Sequence, residues 1–253
     1  MPANLGFTSY GNGPVRVLVL HDWFCDHSSW DASLPYLTPS RFTYVFADLR
    51  GYGASRTLEG KYTLDEATDD AIALADNLHW TQFSLVGHSM SGLIVQRIAQ
   101  LVPNRIARIV AITPVPPAGV GLDEATVNLF RSIALANDEE RYAAISPMWG
   151  ARLSETWIAY KLRRWRETAA PEAVAKYVEL WGCTDISEGA RGVATPMLIV
   201  AGAQDAPPFQ ATALKASMLP YYSNAKVISF ECGHYPMQEQ PPALATAIER
   251  FLG

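Results

Sequence analysis

The chain has 253 residues, 49% of them hydrophobic and 18% charged, a composition that excludes a disordered polypeptide and can bury a large core. Its net charge of −5 argues against nucleic acid or an anionic membrane surface as the partner. With no apolar run near the roughly 20 residues of a membrane span, no signal-peptide pattern at its start and three irregularly spaced cysteines, the chain is expected in the cytoplasm.

Six apolar runs rich in β-branched residues predict strands that are buried on both faces. In chain order they are Val15 to His21, Phe42 to Asp48, Phe83 to Gly87, Arg105 to Thr113, Thr195 to Gly202 and Lys226 to Phe230. Helical patterns lie between most of them, and one begins at Thr63, where Glu66 three residues later completes the pattern of a capping box. This alternation predicts an α/β fold with a mainly parallel sheet flanked by helices.

The alternation stops after the fourth predicted strand, and only helical patterns occur between residues 114 and 190. We predict that residues 1–113 and 191–253 form the core, and that residues 114–190 form a helical cap, or lid, inserted after that strand. The cap contains the one basic cluster of the chain, Lys161 to Arg166, which we interpret as a solvated helix face.

The first predicted strand ends in His21 and Asp22, and two further residues of metal-ligand or acid–base type, Asp26 and His27, follow at once. These residue types can bind a metal ion. Their spacing matches no established ligand pattern, however, and no second cluster supports them. We therefore expect neither a metal nor a cofactor.

The stretch Leu85 to Gly92, with the sequence LVGHSMSG, joins the third predicted strand directly to a helix. A serine on such a tight turn is strained, and its hydroxyl stands out over the edge of the sheet. Ser89 holds this position. Small residues two places before and after the serine let the strand and the helix pass closely, and the usual pattern has glycine in both places. Here they are Gly87 and Ser91, which we interpret as a tolerated variant.

A serine hydroxyl needs a base to become a nucleophile, and on this kind of turn the partners follow in the order serine, acid, histidine. Asp205 lies in the loop after the fifth predicted strand, and His234 lies in the loop after the sixth. Either residue alone has an ordinary structural interpretation, such as a helix cap. Three such residues in the right order, each at the carboxyl end of a strand, indicate a catalytic triad.

With the turn GHSMSG, the loop DLRGYGAS after the second predicted strand and the helical insertion, the chain resembles the α/β-hydrolase fold superfamily over nearly its whole length. The resemblance implies Ser89 as the nucleophile, His234 as the base and Asp205 as the acid that orients the base. It also implies an oxyanion hole formed by the backbone N–H groups of Met90 and Trp23. A serine nucleophile, in place of the aspartate of epoxide- and halide-processing members, favours ester or lactone hydrolysis through an acyl-enzyme.

One residue departs from the superfamily pattern in the first loop. That loop usually reads His-Gly-x, whereas this chain has Asp22 in place of the glycine. Because a carboxylate would repel a developing oxyanion, we expect Asp22 to point away from it, toward His21, Arg50 or solvent. The other expectation is that Asp22 contacts the substrate.

The substrate prediction depends on the aromatic residues of the cap. Ligand pockets are mostly apolar and aromatic, so we expect some of these side chains to line a pocket over Ser89. The expected substrate is a compact hydrophobic or aromatic ester or lactone. The candidate substrate contacts are Asp22, His88, Phe130, Trp149, Trp157, Trp181 and Tyr235.

Two alternative functions stay open. The first loop, DWFCDH, resembles that of cofactor-independent dioxygenases of the superfamily through Trp23, Asp26 and His27, and C–C bond cleavage is a further reaction on this fold. Those dioxygenases take their acid from after the strand that precedes the cap, where this chain reads ITPVPP, so Asp205 favours hydrolysis. The serine turn and the first loop also resemble plant hormone receptors and bacterial stress regulators, which predicts slow turnover and tight ligand retention for a receptor.

Overall fold

The structure is a computed structural model that describes residues 2–146 and 153–253. One sheet contains the strands β1 (Phe7–Tyr10), β2 (Val15–Leu20), β3 (Phe42–Ala47), β4 (Phe83–His88), β5 (Ile106–Ile112), β6 (Met197–Gly202) and β7 (Ala225–Phe230). Their order across the sheet is β1-β3-β2-β4-β5-β6-β7, and β1 runs antiparallel to β3 while the other pairs are parallel. The predicted α/β fold with a mainly parallel sheet is confirmed.

The six predicted strands correspond to β2 to β7, and β1 is not among the predicted strands. This strand has four residues, pairs only with β3 among the described strands and is largely exposed, with Phe7 at 41%. A short edge strand buries too little to carry a continuous apolar run, so the pattern that reveals the central strands is absent from it.

The α-helices of the described residues are α1 (Leu64–Asn77), α2 (Met90–Leu101), α3 (Glu124–Leu135), α4 (Asp138–Ile145), α5 (Glu155–Thr168), α6 (Pro171–Cys183), α7 (Ser187–Ala190), α8 (Ala211–Met218), α9 (Pro236–Glu239) and α10 (Pro241–Leu252). Segments of 3₁₀ helix span His27–Tyr36, Gly53–Ser55, Pro103–Arg105 and Pro207–Phe209. Among the described helices, none combines the length and apolar character that crossing a membrane requires.

Helix α1 begins where the sequence predicts, but without the complete capping box. The Thr63 side chain accepts a hydrogen bond from the Glu66 N–H at 3.3 Å. The Glu66 carboxylate reaches past Thr63 and accepts the N–H of Tyr62 at 2.8 Å. The start of α1 is therefore capped by two side chains that each satisfy a different backbone donor.

The order of the strands reverses beside β2. The chain passes from β2 to β3 on one side, whereas β4 to β7 lie in succession on the other side. Leu20 of β2 is in register with Gly87 of β4, so the first loop and the turn at Ser89 leave the sheet next to each other. Open parallel sheets bind ligands at this kind of switch point, beyond the carboxyl ends of the strands.

The central strands form the rigid part of the core. Every residue of β4 and of β6 is buried. Helix α2 packs against β4, β5 and α1, and helix α10 packs against the 3₁₀ segment His27–Tyr36. The loops that follow these strands therefore begin at closely packed elements. This packing restricts the positions that the side chains at the start of each loop can take.

Between β5 and β6 the described residues form helices α3 to α7 and no strand. Helix α3 packs against α6, and α6 also approaches the loop after β3, where the Ala170 N–H donates to the Gly51 carbonyl at 2.7 Å. Gly51 has a φ of 82°, and a Cβ on it would lie 2.1 Å from the Cβ of Ala173. Glycine thus allows this loop and α6 to pack closely.

Candidate active site

Ser89 is the single residue between β4 and α2. Its φ of 56° and ψ of −116° put it in a region that side-chain-bearing residues rarely occupy. The strain is held by hydrogen bonds on both sides, because the Ser89 N–H donates to the Ile112 carbonyl at 2.9 Å and the Ser89 carbonyl accepts the N–H of Val115 at 3.1 Å. The turn therefore holds the hydroxyl beyond the carboxyl ends of the central strands.

The small residues around Ser89 have distinct roles. A Cβ on Gly87 would lie 2.4 Å from the Ser91 carbonyl oxygen, so β4 and α2 pass too closely for any side chain there. Ser91 occupies the second small position, and its buried hydroxyl donates to the His21 carbonyl at 2.5 Å. Serine at this position ties the first turn of α2 to the end of β2, a contact that a glycine could not make.

We expect Gly87→Ala to lower the free energy of unfolding by about 1–3 kcal/mol, because the added methyl group must push β4 and α2 apart. Urea unfolding followed by circular dichroism measures this change. Gly192→Ala is the matched control, since nothing lies within 4 Å of a Cβ added at Gly192. Equal midpoints for the two variants would contradict the close approach at Gly87.

The structure brings Ser89, His234 and Asp205 together. The Ser89 hydroxyl lies 2.8 Å from His234 Nε2, and His234 Nδ1 lies 2.7 Å from Asp205 Oδ2. Asp205 follows β6 and His234 follows β7, and both side chains are buried. Because a carboxylate only accepts, Nδ1 of His234 carries the proton and Nε2 is free to accept from the Ser89 hydroxyl. This tautomer is the one that a general base needs.

The two predicted oxyanion donors lie on either side of the switch point. Met90 is the first residue of α2, where backbone N–H groups have no acceptor within the helix. Trp23 follows β2, and among the described residues its backbone N–H has no acceptor. The Trp23 carbonyl accepts a hydrogen bond from the Tyr52 hydroxyl at 2.7 Å, and the Trp23 indole N–H donates to the Val174 carbonyl at 2.7 Å. Hydrogen bonds therefore hold both the backbone and the side chain of Trp23 in place.

A cavity of about 210 Å³ reaches Ser89. Phe130 and Trp181, two of the predicted substrate contacts, lie in its wall together with the predicted oxyanion residue Trp23. The other wall residues are Phe24, Val115, Val120, Leu122, Ala206 and Phe209. Among the described residues Ser89 supplies the one hydroxyl of the wall, and the wall contains no charged side chain. Phe24 and Phe209 are not among the predicted site residues, although each follows one closely in the chain, Phe24 after Trp23 and Phe209 after Asp205.

The other predicted substrate contacts have different positions. Trp149 lies outside the described residues. Trp157 packs on the ring of Tyr235, with ring centroids 5.4 Å apart, and neither belongs to the cavity wall. His88 is buried, and its Nε2–H donates to the His234 carbonyl at 2.7 Å. Burial lowers the pKa of His88 to about 3, so its imidazole is neutral and supports the backbone of His234.

Asp22 points neither to Arg50 nor to solvent. It is buried, and its Oδ2 accepts the Tyr235 hydroxyl at 2.7 Å and lies 3.9 Å from Lys161 Nζ. Burial alone would raise the pKa of Asp22, but Lys161 above all outweighs it and holds that pKa well below its usual range. Arg50 instead pairs with Asp70 at 2.5 Å. The side chain of Asp22 is also absent from the cavity wall, so its predicted contact with substrate gains no support.

The interpretation of Lys161 to Arg166 as a solvated helix face is wrong for part of that cluster. Arg163 and Arg166 are exposed, but Lys161 is 2% exposed in its side chain, and Arg164 is turned toward Asp26 at 3.2 Å. The helix therefore presents two of its basic side chains to the first loop of the core.

The four residues considered as metal ligands separate into two groups. Asp26 and His27 come together with Asp48, and their candidate ligand atoms lie within 4.8 Å of one another. These atoms already have hydrogen-bond partners, because His27 Nδ1 lies 2.9 Å from Asp48 Oδ2 and Asp26 pairs with Arg164. His21 does not belong to this group, and its Nε2 accepts a hydrogen bond from the Leu49 N–H at 3.0 Å. In this arrangement, hydrogen bonds with Asp48 and Arg164 hold the first loop at Asp26 and His27.

Comparison with known proteins extends these observations. The sequence model of the Alpha/beta hydrolase family matches residues 17–247. The chain is 27% identical over 250 residues to 3-oxoadipate enol-lactonase 2 of Acinetobacter baylyi, covering 98% of this chain and 92% of that protein. It is 25% identical over 260 residues to a pimeloyl-[acyl-carrier protein] methyl ester esterase of Legionella pneumophila, covering 98% and 99%. A bromoperoxidase structure from Bacillus anthracis matches with a TM-score of 0.85 at 22% identity, covering 97% and 94%, which shows the shared fold.

Proposed function

The chain belongs to the alpha/beta hydrolase family, and we propose that it is a serine hydrolase that cleaves a small apolar ester or lactone through an acyl-enzyme on Ser89. The observation that carries this proposal is the hydrogen-bonded line from Ser89 through His234 to Asp205, whose nucleophile opens into an apolar cavity. The names of the two curated relatives, an enol-lactonase and a methyl ester esterase, support an ester-type bond as the target.

In the first half of the reaction, Ser89 Oγ attacks the acyl carbon and its proton passes to His234 Nε2. Asp205 keeps the imidazole in the required tautomer and stabilises the cation that forms. His234 then gives the proton to the departing oxygen, which leaves as an alcohol or, for a lactone, stays tethered to the acyl group. Water attacks the acyl-enzyme by the same route in the second half, releases the acid and restores Ser89.

The N–H groups of Met90 and Trp23 are the proposed donors to the oxyanion. In this role each is worth about 3–4 kcal/mol of barrier, because a fixed donor costs no reorganisation as the charge develops. Trp23 also lies in the cavity wall. Acyl-group binding and oxyanion stabilisation would therefore share one residue.

The cavity supports a neutral and compact acyl group as the substrate portion. At about 210 Å³, and with mainly apolar side chains around Ser89, it presents no cationic side chain to an ionised acyl group among the described residues. Transferring a carboxylate into such surroundings is strongly unfavourable. Phe130 and Trp181 stand in T-shaped contact with ring centroids 5.0 Å apart, a shape suited to aromatic or branched aliphatic groups.

We expect the purified protein to hydrolyse p-nitrophenyl esters of short or aromatic acids faster than those of long-chain or ionised acids. Trp181→Ala should shift the ratio of kcat/KM values toward longer acyl chains by at least about tenfold, because it enlarges the cavity. Initial rates over an ester panel measure both effects. The control is Leu129→Ala, which removes an exposed apolar side chain outside this cavity wall and should leave the preference unchanged.

Ester assays, ligand-retention measurements and O₂-uptake measurements together test the alternatives. A preference for charged or very long acyl groups would contradict the proposed substrate class. Stoichiometric ligand retention with turnover far slower than that of an ordinary esterase would favour a receptor. Consumption of O₂ with a ring-cleaved product would favour the dioxygenase interpretation.

A further inference from the structure

A pair of opposite charges lies buried beside the proposed active site. Lys161 of α5 and Asp22 after β2 are each 1% exposed, and Lys161 Nζ lies 3.9 Å from Asp22 Oδ2. Taking an ammonium and a carboxylate out of water is strongly unfavourable, and removing one partner leaves the other charge buried and uncompensated. Each charge therefore depends on the other.

Two further side chains complete this arrangement. The Tyr235 hydroxyl donates to Asp22 Oδ2 at 2.7 Å, and Lys161 Nζ stands 4.2 Å from the centroid of the Tyr235 ring. Lys161 Nζ also donates to the Ser29 hydroxyl at 3.1 Å. We use the name buried ionic cluster for Lys161, Asp22 and Tyr235.

The position of the buried ionic cluster along the chain links it to both parts of the proposed machinery. Asp22 precedes Trp23, the proposed oxyanion donor, and Tyr235 follows His234, the proposed base. The hydrogen bond between the Asp22 and Tyr235 side chains therefore links the segment of the oxyanion donor to the segment of the base. These two segments must keep the same relative position during acyl transfer. None of the three side chains belongs to the cavity wall, so none is placed to contact the acyl group directly.

We infer that the buried ionic cluster positions the oxyanion donor against the base, and that Lys161 lets Asp22 do so by neutralising its charge. The inference rests on the proposed function. An aspartate next to the oxyanion site would oppose the charge that develops on the substrate. With Lys161 beside it, the carboxylate keeps its hydrogen bond to Tyr235 while its field on the oxyanion is largely cancelled. Lys161, Asp22 and Tyr235 are thus positioning residues, and one of them is supplied by the helical segment between β5 and β6.

The charges around the cluster are compatible with this pairing. Asp22 faces Lys161 from α5, Tyr235 from the loop after β7, His88 from β4 and His21 next to it in the chain. Burial lowers the pKa of His88 to about 3, so that ring brings no positive charge. Lys161 also faces Cys25, a thiol whose pKa burial raises to about 12, and Asp26, which pairs with Arg164. Lys161 is thus the main counter-charge of Asp22.

The test is a charge-removal series measured with a p-nitrophenyl ester between pH 6 and 9. We expect Lys161→Met to lower kcat at pH 8 by about tenfold or more, with KM within about twofold of wild type. Without the ammonium, burial raises the pKa of Asp22, so the carboxyl becomes neutral at the acidic end of the range. The ratio of the variant kcat to the wild-type kcat should therefore fall as pH rises.

The double variant Asp22→Asn with Lys161→Met removes both charges and keeps an acceptor for Tyr235. We expect it to recover kcat to within about threefold of wild type and to show a ratio that does not change with pH, since no uncompensated carboxylate remains. Lys176→Met on α6 is the matched control, because it makes the same substitution at an exposed lysine. The Lys176 side chain is 48% accessible, whereas that of Lys161 is buried. The Lys176→Met variant should match wild type.

Each result bears on the inference in a defined way. A Lys161→Met variant with unchanged kcat, or a double variant as impaired as the single one, would overturn it. If Lys161→Met is insoluble, a soluble and active double variant supports the inference, and an insoluble double variant shows that Lys161 only packs and overturns it. Wild-type turnover that survives Ser89→Ala would instead count against the proposed function, which separates the two failures.

Discussion

Ser89→Ala is expected to lower kcat for ester hydrolysis by a factor of about 10⁴ or more. The alanine keeps the apolar cavity but removes the atom that forms the acyl-enzyme, and only binding and oxyanion stabilisation of a water attack remain. KM should change little, because the hydroxyl contributes to bond formation more than to binding of the acyl group. Steady-state kinetics on the best ester of the panel measures both constants.

A phosphonate ester provides the covalent counterpart of this experiment. Intact mass spectrometry should show one phosphonyl adduct on the wild-type protein, at Ser89 by peptide mapping, and none on Ser89→Ala. Ser91→Ala is a useful control, because it removes a serine two residues away whose hydroxyl is committed to the His21 carbonyl. It should still be labelled at Ser89. An adduct on Ser89→Ala at the wild-type level would refute the proposed nucleophile.

The elements that could be predicted from the sequence are those with local signals. Central strands must be buried on both faces, which forces a continuous apolar run, and β2 to β7 each show one. The turn at Ser89 combines a close strand–helix approach with a required small residue, and Gly87 carries that requirement in the sequence. The edge strand β1 has neither signal, and this explains why it was missed.

The lining of the cavity could not be derived in the same way. Trp157 and Trp181 lie on consecutive helices of the segment between β5 and β6, and each belongs to a helical pattern in the sequence. The packing of α5 puts Trp157 on Tyr235, whereas α6 brings Trp181 to within 5.2 Å of Trp23, measured between ring centroids. Which of two such aromatics meets the cavity is decided by the angles between helices, and no spacing within one helix encodes those angles.

The role of Asp22 shows a second limit. From the sequence, a carboxylate in place of glycine is recognisable as unusual, but its partner lies 139 positions later in the chain, in a cluster that composition favours as solvent-exposed. A charge pair with that separation has no periodicity to reveal it. Only the fold brings Lys161 next to Asp22. With its charge neutralised in this way, the carboxylate that would repel an oxyanion becomes a candidate positioning residue for acyl transfer.

Asp205→Asn is expected to lower kcat by about 10⁴ while leaving the fold intact. An asparagine is nearly the same size, but its amide can donate to His234 Nδ1, which then accepts and leaves the proton on Nε2. In that tautomer Nε2 cannot accept from the Ser89 hydroxyl, from which it lies 2.8 Å away, so the nucleophile loses its base. The same reasoning predicts that phosphonate labelling of Ser89 slows in proportion to kcat.

The matched control for Asp205→Asn is Asp69→Asn, the same substitution at an exposed position of α1 remote from the site. It should retain wild-type kinetics and labelling. Thermal unfolding of Asp205→Asn should stay cooperative, because Asn can still accept the Ala206 N–H that Asp205 Oδ1 now accepts at 2.7 Å. A loss of less than about tenfold in a folded variant would mean that another group orients His234, because the proposed base cannot accept the Ser89 proton while it holds the wrong tautomer. The size of the loss therefore measures how far proton transfer depends on the loop after β6.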